Sequence, residues 1–272
     1  MNPNSIAKNV SETPALLVVG GTQRGGTTLL MRFLITHPAI NLFPFEHRSL
    51  GFYDLATYLH VIAVSKVLFA RFSRLYEPDK WRYTLNYVSH VLKQTSIFGF
   101  VTLDTIHDAM IGALANKNTK YVGAKCPTYL LDYPQFIHRE NTKCIFIYRD
   151  ARDFTASNLM RVRHDWWGKR RWAEKINSVE KLSHYWLLLM RCIQDLQQLK
   201  ANALIIRYEH FVSQPVPTAN RIAEYLGIDA NEFDVNEPNT SSIGKHTETL
   251  TAGEIVLIEE ITGDVMRKFG YL

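Results

Sequence analysis

Residues 15–34 read ALLVVGGTQRGGTTLLMRFL, and the order of residue types along this stretch decides the fold. Leu16 to Val19 is a short unbroken apolar run, the pattern of a strand buried on both faces. Gly20 to Gly26 follows, with four glycines. From Thr27 the apolar residues Leu30, Phe33 and Leu34 recur at helical spacing as far as His37-Pro38, where proline disfavours continuation. The chain therefore runs from a strand through a glycine-rich turn into a helix N-terminus. Such a turn attracts anions because its backbone N–H groups converge while the helix dipole adds partial positive charge. Glycine lets a phosphate approach the main chain closely, and the hydroxyls of Thr27 and Thr28 add donors in the first helical turn.

The nearest phosphate-binding pattern is G-x-x-x-x-G-K-[ST], and the chain departs from it at the lysine. Counted from Gly20 that position is Gly26, and counted from Gly21 it is Thr27. The cation that reaches a terminal phosphate in nucleoside triphosphatases is absent in either register. An ordinary strand-to-helix turn is the alternative for the loop taken alone.

Working outward, residues 39–54 contain a second short apolar run that leads into Glu46 and His47. A carboxylate at a strand's carboxyl end can face the same crevice as the loop, and a solvated loop glutamate is the alternative. Residues 55–118 read as mostly helical, with bases and aromatics interleaved; an amphipathic helix with solvated charges fits this better than a nucleic-acid surface. Tyr121 to Tyr129 looks like a strand running into a turn at Pro127, which puts Lys125 at the strand's end, on the loop's edge.

In KCIFIYRDARDFTASNLMRVR, residues 143–163, Cys144 to Tyr148 is another buried-strand run that ends at Arg149. Ser157 follows eight residues later, on the expected next helix. One guanidinium and one hydroxyl so spaced can converge on a single phosphate. A rival reading takes Asp150 as a magnesium ligand after a strand, but it lacks its partner lysine in the loop. Residues 164–175 form a basic, tryptophan-rich insertion, a lid or acceptor contact if not simply packed surface. Ser183 to Leu199 reads as a long helix with Trp186 on its core face. Ala203 to Tyr208 reads as a strand leading to Glu209, and Thr218 to Leu226 as a helix ended by Gly227. A flexible Ser-Ser-Ile-Gly-Lys segment, in which Lys245 beside Gly244 can close over an anion, precedes a last amphipathic helix.

The 272 residues suffice for one α/β domain, and 46% hydrophobic with 21% charged residues are globular proportions. The net charge of +5 suits an anionic ligand but equally nucleic acid or a membrane surface. Three cysteines without a CxxC pair indicate neither a disulfide framework nor a zinc site. The first residues lack a basic head and apolar stretch, and Leu55 to Ala70 is too short to span a bilayer, so the expectation is a soluble, cytoplasmic chain.

Together the segments resemble sulfotransferases that use 3'-phosphoadenosine-5'-phosphosulfate (PAPS), the group containing heparan sulfate 3-O- and N-sulfotransferases, tyrosylprotein sulfotransferases and related bacterial enzymes. GGTQRGGTT is similar to their 5'-phosphosulfate loop, and Arg149 with Ser157 to the pair that holds the 3'-phosphate. HPAINLFPFEH resembles the segment carrying a catalytic glutamate, at Glu46; YVGAKCPTY the segment carrying a lysine, at Lys125; and RYEHFVSQPVPTANRIAEYLGI a strand-Tyr-Glu stretch with its following helix. Two departures stand out: Arg24 where many members have lysine, and Ala124 where the glycan enzymes have glutamate.

The resemblance implies a P-loop-like three-layer α/β fold with a central, mainly parallel sheet, formed by residues 1–272 as one domain with a flexible 1–14 and an acceptor-side helical insertion at 50–118. It implies Glu46 as general base, with Arg24 and Lys125 neutralising charge on the transferring group and leaving phosphate. It implies a donor site of Gln23, Arg24, Gly25, Gly26, Thr27, Thr28, Arg149, Ser157, Tyr208, Gly244 and Lys245, no metal, and adenosine 3',5'-bisphosphate as product. The expected acceptor is a glycan, small natural product, lipid or peptide, with neither nucleic acid nor stable membrane insertion. A nucleotide kinase and a non-catalytic nucleotide-binding protein of the same fold are the rival classes.

Overall fold

Leu16 to Val19 form the centre of the sheet, and all four are wholly buried in the computed structural model. The structure describes residues 13–46, 53–54, 80–95, 99–164, 176–200 and 202–272. The expectations for residues 1–12, for His47, for the stretch 55–79 and for the tryptophan-rich segment 165–175 lie outside them.

Strand β1 (Ala15–Gly21) is followed by α1 (Thr27–Leu34), β2 (Ile40–Glu46), β3 (Tyr53–Asp54), α2 (Lys80–Gln94), β4 (Phe100–Val101), α3 (Leu103–Leu114) and β5 (Tyr121–Lys125). Then come β6 (Thr142–Tyr148), α4 (Ala151–His164), α5 (Val179–Gln198), β7 (Ala203–Arg207), α6 (Tyr208–Ser213), α7 (Pro215–Leu226), α8 (His246–Thr249) and α9 (Ala252–Lys268). Five strands make one sheet in the order β2-β5-β1-β6-β7, every pairing parallel, while β3 and β4 form a separate antiparallel pair.

Alternate side chains of β1 leave on opposite faces, as the two-residue period of a strand requires. Leu16 and Val18 pack with Phe146 of β6 beneath α2, α3, α4, α5 and α9. Leu17 and Val19 pack with Ile145 and Ile147 beneath α1, α6 and α7. These are the expected three layers. Burial of each such Leu, Ile or Val contributes on the order of 1.5–3 kcal/mol, so a strand apolar on both faces is held most firmly at the centre.

The strand order reverses direction at β1: the chain leaves it for one edge, returns through β5, and crosses to β6 on the other side. A crevice opens at such a reversal, beyond the carboxyl ends of the strands, and the glycine-rich loop after β1 lies there. The neighbouring β2 departs from regular register. Leu42 pairs with Gly123, but the next pair is Glu46 with Lys125. Two extra residues bulge from this edge strand around Pro44, which has no N–H to give the ladder. Without the bulge Pro44 would stand opposite Lys125; with it, Glu46 does.

Some boundaries differ from expectation. Helix α5 begins at Val179, because Ser178 caps it by accepting from the Lys181 N–H at 3.2 Å and Val179 and Leu182 extend the buried stripe. Strand β7 stops at Arg207, so Tyr208 and Glu209 lie in the first turn of α6. Helix α7 begins at Pro215, since proline suits a first helical turn, and ends at Gly227 as expected. Among the described residues no helix is long and apolar enough to cross a membrane.

Candidate active site

The loop between β1 and α1 folds back on itself, with the Gly25 N–H donating to the Thr22 carbonyl at 2.9 Å. Gly26, at φ 92°, precedes the helix, no side chain caps it, and its first turn holds no acidic residue. A side chain at Gly26 would both strain the backbone and put its Cβ 2.4 Å from the Tyr208 ring. At Gly25 a Cβ would lie 1.9 Å from the Thr22 hydroxyl. The loop is tied to α4 by Asn158, whose amide donates to the Gln23 carbonyl at 3.5 Å.

Two groups of side chains flank this loop. On the β5 side, Lys125 Nζ donates to Glu46 Oε1 at 3.0 Å and to Thr28 Oγ1 at 3.2 Å. The lysine side chain is 4% exposed and the glutamate 36%, so the carboxylate is the solvent-facing member of the pair. Three sequence expectations, Glu46, Lys125 and Thr28, thus converge.

On the β6 side, Arg149 is buried against the Tyr208 ring, its guanidinium carbon 4.7 Å from the ring centroid. It donates to the Arg24 carbonyl at 3.3 Å, to Asp153 Oδ2 at 3.0 Å and to the Ser242 carbonyl, while its Nε is buried without a partner. Arg24, at φ 61°, donates from Nε to Ser157 Oγ at 3.1 Å, so its guanidinium joins the Arg149–Ser157 group. Arg149, Ser157, Tyr208 and Arg24 are therefore brought together. Gly244 and Lys245 lie in a turn that docks on the same group through Asp153, with Lys245 itself exposed. That turn was expected to be flexible; instead its backbone is hydrogen-bonded to the protein.

Asp153, which the sequence reading passed over, is the partner common to these contacts. Burial pushes its carboxyl up, but the Arg149 guanidinium and hydrogen bonds from His246 and Gly244 outweigh burial and hold it below the ordinary carboxylate value. The i,i+4 spacing of Arg149 and Asp153 is the one local signal that could have found it. Trp186, expected in the core, is wholly buried there and also donates from Nε1 to the Arg149 carbonyl at 2.9 Å. Glu209 accepts from the Asp150 N–H at 3.0 Å and so supports the same strand end.

Asp150 is spoken for. Its Oδ1 accepts from the Arg152 N–H and Nε at 2.7 and 3.1 Å, and its Oδ2 from Arg152 Nη2 at 2.7 Å. A carboxylate closed on both oxygens by one arginine is poorly placed to hold magnesium, which weakens the kinase alternative. Among the described residues no three His, Cys, Asp or Glu side chains cluster as metal ligands.

Comparison with known proteins bears on the fold and on the family. Structures of similar fold include the sulfotransferase domain from the curacin biosynthetic pathway, with 15% identity, TM-score 0.50, and 93% of this chain and 97% of that one covered. Mouse sulfotransferase SULT7A1 complexed with PAP matches with 12% identity and TM-score 0.47 over 93% and 85%. A sulfotransferase from Alicyclobacillus acidocaldarius matches with 15% identity and TM-score 0.45 over 92% and 96%. No curated protein matches in sequence. The model of the sulfotransferase family matches residues 14–232, most of the chain and both flanks of the loop, and the chain belongs to that family.

Proposed function

We propose that the chain transfers a sulfuryl group from PAPS to a hydroxyl or amine of its acceptor, with Glu46 as general base. The observation that carries this reading is the Glu46–Lys125–Thr28 cluster beside a phosphate loop that lacks the triphosphatase lysine. The donor supplies the activated sulfuryl group when bound. The uncapped start of α1 after Gly26 and the buried, unpartnered Nε of Arg149 fit its two phosphate ends.

In this reading the N–H groups of Gly25 and Gly26 with the hydroxyls of Thr27 and Thr28 hold the 5'-phosphate. Arg149, Ser157, Tyr208, Gly244 and Lys245 hold the 3'-phosphate side, and Gln23 shapes the loop between them. Glu46 takes the acceptor's proton on its carboxylate, its position set by the ion pair with Lys125. Lys125 meets negative charge developing at the transferring group, and Arg24 meets charge on the phosphates. A guanidinium does not surrender its proton near neutral pH, so Arg24 acts by charge alone. We place the reaction in the cytoplasm, where Cys126, Cys144 and Cys192, none of them in a disulfide, stay reduced.

Glu46→Gln tests this. We expect turnover to fall by about 10²–10⁴ while calorimetric affinity for adenosine 3',5'-bisphosphate stays within about twofold. Loss of binding in step with turnover would overturn the assignment of the base. Tighter binding of magnesium-ATP than of the bisphosphate would overturn the donor.

A further inference from the structure

Lys245 is exposed, yet the residues on both sides of it are fixed to one buried carboxylate. Asp153 Oδ2 accepts from the Gly244 N–H at 2.9 Å and from Arg149 Nη2 at 3.0 Å. Asp153 Oδ1 accepts from the His246 N–H at 3.0 Å and pairs with His246 Nδ1 at 2.8 Å. Four partners occupy the carboxylate's roughly four lone-pair sites. The turn is tethered a second time, through the Arg149 guanidinium to the Ser242 carbonyl. A residue 3% exposed in the first turn of α4 thus joins the end of β6 to a segment more than ninety positions along the chain.

We propose that Asp153 is a positioning residue that locks Arg149 and the Ser242–His246 turn into one register, so that Arg149 and Lys245 grip the 3'-phosphate of the donor as a coupled pair. This rests on the PAPS reading above. Physical chemistry favours an aspartate here. All four contacts are donors, so an asparagine would turn an NH₂ group towards at least one of them, and an alanine would leave the Arg149 charge buried without compensation. The low pKa direction of Asp153 accords with a carboxylate held charged by these partners.

The experiment is a double-mutant cycle read with two probes, adenosine 3',5'-bisphosphate and adenosine 5'-monophosphate. Lys245→Ala is made in the natural chain, in His246→Ala and in Asp153→Asn, and each protein is titrated calorimetrically. In the natural chain Lys245→Ala should weaken the bisphosphate about fivefold and leave the monophosphate unchanged. In His246→Ala the same substitution should cost less than about twofold, because the turn no longer presents the lysine in register. Asp153→Asn should loosen the bisphosphate by about tenfold or more while sparing the monophosphate, a selectivity that general loss of structure does not produce. If Asp153→Asn does not fold, the His246→Ala cycle decides. Equal costs of Lys245→Ala in both backgrounds would overturn the coupling while leaving the donor reading intact. A natural chain that binds the two nucleotides equally would overturn the donor reading, and the coupling with it.

Discussion

The two flanks of the phosphate loop are held in place by different means. On the β5 flank, strand register alone sets the geometry: a two-residue bulge brings Glu46 opposite Lys125, and one lysine contacts both the glutamate and Thr28. On the β6 flank, Arg149 and Asp153 have side chains 7% and 2% exposed and are enclosed by Tyr208, Trp186 and the Ser242–His246 turn. The open flank leaves its carboxylate reachable by an incoming acceptor. The closed flank excludes water, which strengthens every charge interaction within it. On the proposed reading labour is divided, with turnover set on one side and donor affinity, together with stability, on the other.

Lys125→Met is the strongest way to break that division. The substitution keeps the straight side chain and removes the charge, and turnover is expected to fall by about 10²–10³, with little change in melting temperature because the partner glutamate can be solvated. A large fall in melting temperature with turnover preserved would place Lys125 with the structural flank instead. Arg149→Ala should do the opposite. Bisphosphate affinity should drop by about 10–100-fold, and stability by about 3 kcal/mol, because Asp153 is left buried without its cation. Denaturant unfolding and calorimetry on the same protein separate the two effects.

The contrast also explains what was legible in the sequence. Local chemistry was readable: an apolar run, glycines and threonines specify the strand, loop and helix start whatever lies around them, and Arg149 at a strand end announces itself by position. Lys125 and Glu46 were readable as candidates. Their pairing was not, because it depends on a bulge at Pro44 that no periodicity reveals. Least readable was Asp153. Its Arg149 partner is four residues away and within sequence reach, but Gly244 and His246 meet it only through tertiary packing, and an aspartate in a helix's first turn ordinarily signals no more than a favourable dipole contact. Long-range polar networks leave little trace in local pattern, which is why residues 241–245 read as flexible from sequence and are hydrogen-bonded in the fold.

Acid sharpens the comparison further. Because Asp153 has a folded-state pKa held below its unfolded value, its contribution is fully present above about pH 4 and is lost as pH falls through the folded value. Thermal melts of the natural chain should therefore lose stability as pH falls below about 4. The Asp153→Asn protein should be less stable at neutral pH yet show a shallower decline. Parallel pH profiles for the two proteins would mean that the closed flank owes nothing to this carboxylate's charge.

The smallest expected effect tests where the closed flank ends. Behind Arg149, Glu209 bridges the Asp150 N–H, Arg207 Nε at 3.3 Å and the Tyr271 hydroxyl at 2.9 Å, and the Arg207 guanidinium lies 3.9 Å from the Tyr271 ring centroid. Arg207 also donates to the Phe269 and Gly270 carbonyls, and Arg152 to that of Tyr271, so residues 269–271 are clamped behind the strand end that carries Arg149. Burial and the Glu209 charge push the Tyr271 phenol up, so it stays a neutral donor to that carboxylate. Tyr271→Phe removes one hydrogen bond to a charged acceptor and leaves the ring over Arg207, at a cost of about 1–2 kcal/mol in unfolding free energy. If the network serves only to fasten the chain, bisphosphate affinity should change by less than about twofold. A loss of affinity as large as that of Arg149→Ala would extend the donor-binding flank through Glu209 to the end of the chain, since the strand end that carries Arg149 would then depend on Tyr271 for its position.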